Sequence, residues 1–187
     1  MDTRTQILDV GEALMKRAGY SGFSYADVSK EVGIRKASIH HHFPNKSALA
    51  RAALERYREA SQARLAASFD PQSGVQGAAQ SLGQMFVDAF EGPGNGCLCG
   101  SLAAEWELLP DELREHVRAY WNETTAWMAA AIMRADPAVV HEHATSRARL
   151  VVSLLEGAMM SARVMGSTAP LHEATATARL LASHAHA

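Results

Sequence analysis

Apolar residues recur at steps of three and four along nearly the whole chain. Ile7, Val10, Leu14 and Ala18 share one face of a helix expected from Thr3 to about Ala18. Thr3 and Gln6 have capping-box spacing at its start, and Gly19 stops it. Ser24 and Asp27 repeat that spacing and predict a short helix to about Val32, ended by Gly33 in a left-handed conformation. A third short helix is expected from about Lys36 to His42, because Pro44 disfavours helix in the residue before it. Asn45 then caps a long helix from about Lys46 to Ser68. Short helix, glycine turn and short helix make a helix-turn-helix. Val28, Val32, Ile34, Ile39, Phe43 and Leu49 have the spacing to seal its core.

The register restarts after "FDPQSG". Val75 to about Glu91 is amphipathic through Leu82, Met85, Phe86, Ala89 and Phe90. "GPGNG" and "CLCG" lead to a short helix expected at Ser101 to Leu109. Pro110 suits a first helical position, with Asp111 and Glu112 in the first turn where the helix dipole favours anions. Pro137 is expected to open a helix running to about Met165, and a last one runs from about Leu171 to Ser183. No stretch alternates convincingly with period two. The expected fold is therefore all-α, with about nine helices. A helix-turn-helix domain (residues 1–47) is followed by a helical regulatory and dimerisation domain (48–187), joined by the long helix at about 46–68.

Composition adds little to this and charge adds more. The 187 residues are 48% apolar with only six prolines, which favours a helical core. No run of eighteen apolar residues is present, so no membrane span is expected. The N-terminus lacks a signal-peptide core, and two cysteines in "CLC" make no disulfide framework, so a cytoplasmic protein is expected. Net charge is −2. Residues 1–60 hold ten Lys/Arg and seven Asp/Glu, a balance of +3, while 61–187 hold eight and thirteen, a balance of −5. A positive head on an acidic body is the asymmetry expected if only the head approaches phosphates.

The segment "YADVSKEVGIRKASIHHHFPNKSALARAAL" resembles the DNA-binding domain of TetR/AcrR-type transcriptional regulators, over roughly residues 4–55. "GCLCGSLAAEWELLPDELREHV" looks like a phrase shared by one broad subgroup, some of it electrophile-responsive. The resemblance implies a homodimeric repressor on a pseudo-palindromic duplex operator, released by a small-molecule effector in the C-terminal domain. Positions matching the family's base- or phosphate-facing sites are Arg35, Lys36, Ala37, Ser38, His40, His41 and Lys46. Arg35 and Lys36 can donate to guanine edges or phosphates, and Ala37 can touch a thymine methyl. Ser24 and Tyr25 suit phosphate oxygens. Lys46 would hold a phosphate jointly with a helix N-terminus. Two departures stand out: His40 where the family usually has tyrosine, and Arg35 where it often has serine or threonine. Arginine cannot cap a helix N-terminus, which costs the third helix about 1 kcal/mol. His42 is expected to pack beside Phe43. Three consecutive helical histidines point about 100° apart, so they cannot share one metal ion.

Dimerisation is expected on the last two helices. Ser153, Gly157 and Ser161 form a small-residue row flanked by Leu150, Leu154, Ala158 and Met165, with Leu181 on the closing helix. Ordinary intramolecular core is the plainer reading of the same row. Pocket candidates are Met85, Phe86, Phe90, Trp106, Trp121, Trp127, Met128 and Met159, which make an adaptable apolar cavity for a small apolar or aromatic effector. Glu156 lies in this run and either pairs with an arginine or looks into the cavity. Cys97 and Cys99 follow a glycine-rich loop and precede a helix start that favours thiolate, so a sensor of electrophiles or oxidants is an alternative, and two small buried hydrophobes the plainer one. No nucleophile elbow, HExxH, Walker loop or Rossmann fingerprint occurs, so neither an enzyme nor a cofactor is expected. A small thiol-dependent helical enzyme or carrier is the rival of a different class. His141 and His143 lack a third ligand nearby, and no metal site is expected.

Overall fold

The computed structural model describes residues 2–68, 70 and 72–183. Phe69, Pro71 and the closing "HAHA" of 184–187 lie outside the described residues. Among the described residues the chain is helical without strands. The helices are α1 (Thr3–Ala18), α2 (Tyr25–Val32), α3 (Lys36–His42), α4 (Lys46–Ser68), α5 (Gly74–Glu91), α6 (Leu98–Ala103), α7 (Asp111–Ala135), α8 (His141–Met165) and α9 (Ala169–Ser183), with a 3-10 turn at Trp106–Leu108. None of them is long and apolar enough to cross a membrane.

Helix starts follow local chemistry. At α2 the capping box forms: Ser24 N donates to Asp27 Oδ2 at 2.8 Å, and Ser24 Oγ accepts from Ala26 N at 3.2 Å. Gly33 ends α2 at φ 76°, a conformation that would strain any residue with a Cβ. Asn45 Oδ1 caps α4 by accepting from Ala48 N at 2.8 Å. Three starts differ from the expectation. Asp2, not a Thr3–Gln6 box, caps α1, accepting from Arg4 N at 3.3 Å; a carboxylate there also complements the helix dipole. Cys97 caps α6, so that helix begins at Leu98 and not at Ser101. Pro137 sits in a turn closed by Asp136, whose Oδ1 accepts from Ala138 N at 3.1 Å, and α8 starts only at His141.

Arg35 precedes α3 without a side-chain cap bond. Arg35→Ser should therefore raise the urea midpoint, by about 1 kcal/mol of stability. An unchanged or lowered midpoint would mean that Arg35 stabilises the head in some other way.

The chain forms two compact units. The first runs to Ala60 and takes in Pro93–Tyr120; the second holds Ser61–Gly92 and the chain from Trp121 onward. The partition differs from the 1–47 and 48–187 division because residues 93–120 pack with the head. Helix α6 lies against α1, with Leu98, Cys99 and Leu102 fully buried. Ser101 Oγ donates to Lys16 O at 2.8 Å, and Ser21 N donates to Glu105 Oε2 at 2.8 Å. Ile7, Met15, Val28, Ile39, Phe43 and Leu49 form the core of this unit, whereas Val32 and Ile34, expected inside, stay half-exposed.

In the second unit α5, α8 and α9 pack on one another. Leu82 and Phe86 of α5 meet a core that also holds Val151, Val152 and Leu155 of α8 and Leu171 and Ala178 of α9. Gly83 lets α5 approach α9 closely, since a Cβ there would fall 2.1 Å from Thr175 Oγ1. Buried Arg147 of α8 donates to the carbonyls of Leu181 and Ala182 in the last turn of α9.

Candidate nucleic-acid interface

Helix α3 is short and one-sided. Ile39 is fully buried, and Phe43 just past the helix end is nearly so. Arg35, Lys36, Ala37, Ser38, His40 and His41 are exposed. The helix is thus pinned through one or two apolar anchors and leaves its cations, its small residues and two imidazoles free to meet another molecule. His42 is half-buried, its ring edge-on to that of His41 with 5.4 Å between centroids.

A shallow open concavity runs beside α3, lined by Ile34, Ala37, Ser38, His41 and His42 together with Thr3 of α1. The start of α1 also brings the Arg4 guanidinium over the Phe43 ring, 5.1 Å from its centroid. Sequence reasoning did not connect Thr3 and Arg4 with the reading helix; nothing in their local pattern announces the contact.

Two residues expected at phosphates are used within the head. The Tyr25 hydroxyl lies 2.9 Å from Phe43 O and 2.6 Å from Asn45 O, tying the start of α2 to the turn between α3 and α4. Burial, with a smaller contribution from Tyr20, pushes its pKa up to about 12. It is therefore a neutral donor at any physiological pH. Ser24 Oγ donates to Asp27 Oδ2 at 2.7 Å, and these bonds hold the Asp27 carboxyl below its usual range.

Lys46 also has a duty not foreseen. Its ammonium sits 4.7 Å from the Tyr20 ring centroid and 4.6 Å from that of Phe23, which are themselves edge-to-face. Burial lowers its pKa, while Glu105 and Asp27 oppose that shift. The "GYSGF" loop was legible as a turn but not as an aromatic seat for a cation 23 residues away or more. The Tyr20 and Phe23 contacts hold Lys46 at the first residue of α4, close to the α2–α4 junction.

The residues expected to line an effector pocket divide between the units. Met85, Phe86, Phe90, Trp121, Trp127, Met128, Glu156 and Met159 belong to the second unit, Cys97 and Trp106 to the first. Trp106 lies under the guanidinium groups of Arg114 and Arg118, at 5.8 and 5.4 Å. Cys97 is 2% exposed and Cys99 fully buried. Cys97 Sγ lies 3.7 Å from the Tyr120 hydroxyl and accepts from Gly100 N at 3.4 Å. The plainer expectation, two small buried hydrophobes near a helix start, agrees with this burial; their place in the first unit was not foreseen. Among the described residues no group of three or more His, Cys, Asp and Glu is placed to hold a metal ion. His184 and His186 lie outside the described residues.

On α8, Leu150, Ser153, Gly157 and Ser161 are exposed, as are Met160, Val164 and Met165. A Cβ on Gly157 would meet nothing within 4 Å. Leu154 is half-buried and Leu181 is exposed at its side chain. Ala158, expected on the same surface, is instead buried, because it lies one residue off the exposed row and turns inward.

A three-helix head that seals its floor and presents a cationic third helix defines a helix-turn-helix DNA-binding regulator. Comparison with known proteins narrows the class. Residues 7–53 match the family model for bacterial regulatory proteins of the tetR family, and residues 71–177 match the model for the C-terminal domain of LmrA/YxaF-like transcriptional regulators. The chain belongs to the TetR family of transcriptional regulators. It is 29% identical to the HTH-type transcriptional regulator LmrA of Bacillus subtilis, over 91% of either chain. It is 26% identical to the HTH-type transcriptional repressor NemR of Escherichia coli, over 94% of this chain and 91% of that one. A solved TetR-family regulator from Agrobacterium tumefaciens superposes with a TM-score of 0.88 at 31% identity, covering 95% of this chain and 96% of its own.

Proposed function

We propose that this regulator is a cytoplasmic homodimeric repressor. Its two heads grip a pseudo-palindromic operator, and a small apolar or aromatic effector bound in the second unit releases it. The observation that carries the reading is the exposure of Arg35, Lys36, Ala37 and Ser38 on a helix anchored from behind by Ile39. Arg35 and Lys36 supply base or phosphate donors, and Ser38 and Ala37 allow close approach. Lys46 adds charge for the phosphates, and exposed His41 adds a ring N–H donor. The relatives LmrA and NemR, described as a transcriptional regulator and a transcriptional repressor, support the direction of control.

The dimer reading rests on α8. Its exposed row of Ser153, Gly157 and Ser161, flanked by Leu150, suits close helix-to-helix contact between two copies. A glycine with open space around it serves no packing need inside its own chain.

The effector reading rests on the second unit. Met85, Phe86, Met128 and Met159 are buried there, with Trp121 and Trp127 half-buried. Thr124 is fully buried, and its hydroxyl has no hydrogen-bond partner among the described residues; neither has the buried Gln62 Nε2. Leaving such a group unpaired costs about 1–3 kcal/mol, which a polar group on an otherwise apolar ligand would recover. The effector is then apolar with one hydrogen-bonding end. Thr124→Val should leave the apo protein at least as stable in a thermal melt, yet require a higher effector concentration to release DNA. Equal effector sensitivity in both proteins would remove Thr124 from the site. Burial of both cysteines supports a packing role over thiol sensing, since attack on an electrophile needs access.

A further inference from the structure

We infer that His40 takes up a proton from solvent when α3 closes on duplex DNA, and that its Nε2–H then donates to a backbone phosphate oxygen. The inference rests on the reading that α3 faces the duplex, and it adds a proton to that reading.

The starting point is one hydrogen bond. His40 Nδ1 lies 3.1 Å from Pro44 O. A carbonyl oxygen can only accept, so Nδ1 must carry the hydrogen. In the neutral ring that leaves Nε2 as a bare acceptor. The ring is further fixed by an edge contact with Tyr25, centroid to centroid 4.9 Å. It cannot swap tautomers without breaking the Pro44 bond. Phosphate oxygens are acceptors too, so a neutral His40 would set lone pair against lone pair. A proton on Nε2 turns that clash into a charge-assisted donor while Nδ1 keeps its carbonyl. No other bond is made or broken, and the complex gains one positive charge.

Position favours phosphate over a base edge. His40 lies in the last turn of α3, and its ring spans Tyr25, the first residue of α2, and Pro44, two residues before α4. Lys36, Ala37 and Ser38 occupy the opposite, leading end of α3. The ring stands at the C-terminal end of a helix, where positive charge is stabilised. Tyr25 stays neutral. Charged and titratable groups toward this end of the neighbouring elements include Asp27, Lys30 and Glu31 of α2, Lys46 of α4 and Arg4 of α1, with Arg35, Lys36, His41 and His42 on or next to α3 itself. Lys46 is held over Tyr20 and Phe23 and Arg4 over Phe43.

The sign follows from linkage. A phosphate partner raises the imidazole's affinity for protons in the complex relative to the free protein. Binding therefore strengthens as pH falls and weakens as pH rises through the range where imidazoles lose their charge. A tyrosine at this position would donate its hydroxyl at every such pH and would need no proton.

The test is calorimetric titration of a duplex selected from a random pool. It is run at constant ionic strength, in two buffers of different ionisation enthalpy, with wild type, His40→Gln and His40→Tyr. Wild type should take up more protons on binding than either variant. Its Kd should rise by up to about tenfold per pH unit for each proton involved, and both variants should show a flatter profile. His41 and His42 remain in all three proteins, so the difference isolates His40. Equal proton uptake in wild type and His40→Gln, with salt-dependent binding intact in both, would overturn the inference and leave DNA binding standing. A wild type that binds no duplex at any salt would overturn both.

Discussion

Gly157→Arg is expected to turn the protein into a folded monomer and to lower affinity for a two-half-site operator by roughly a hundredfold or more. The variant should fold, because a Cβ at Gly157 meets nothing within 4 Å and glycine is a poor helix former. Its helix content should even rise slightly. The damage falls between copies. An arginine in a row of small residues keeps two α8 helices apart and buries a charge without a partner. Each head would then bind on its own, without the gain that tethering gives the second. Sedimentation gives the mass and anisotropy the affinity. A Gly157→Arg protein that still sediments as a dimer would move the interface off this face of α8.

Lys36→Ala carries the second-largest expected effect. Loss of a donor to a guanine edge should cost about 1–3 kcal/mol on the preferred operator and relax the choice of base at one position. Lys46→Ala is the control. It should weaken all sequences alike and reduce the salt slope by about one ion. It should also lower stability slightly, because its ammonium packs on Tyr20 and Phe23. Selection from a random duplex pool with each variant separates the two. If Lys36→Ala selects the same sequence as wild type with affinity merely scaled, Lys36 touches backbone only.

The legible parts of this chain are those written in local chemistry. Ser24, Asp27 and Gly33 fixed both ends of α2 because caps and left-handed turns involve residues two to four apart. Arg35 announced an uncapped α3, and Ile39 and Phe43 its buried side. A count along the chain gave residues 1–60 a balance of +3, but the first unit as folded also holds 93–120, whose two arginines and five carboxylates bring it to zero. What stayed hidden was set by distant partners. Glu105 accepts from Ser21 across 84 positions, and that bond helps place residues 93–120 in the head. No periodicity contains such a pairing, so spacing alone does not show that Cys97 and Trp106 belong to the first unit and the other pocket candidates to the second. On α8 the spacing revealed a small-residue row, yet it could not say which neighbour faces in, and Ala158 was placed on the wrong side. Tyr25 was recognised as important, but its hydroxyl serves two backbone carbonyls of its own chain.

The departures from the common family pattern belong together physically. Arg35 gives up a helix cap and supplies a cation at the leading end of α3. His40 gives up a permanent hydroxyl donor and supplies a titratable one at the trailing end. On the proposed reading, both exchanges trade a little local stability or constancy for charge directed at the same ligand.

The most direct measurement of paired heads is sedimentation of the complex on a selected operator, combined with hydroxyl-radical footprinting. Two copies per duplex are expected, protecting two symmetric half-sites about one helical turn apart or a multiple of it. One copy per duplex, guarding a single asymmetric patch that survives removal of Arg35 and Lys36, would contradict that expectation.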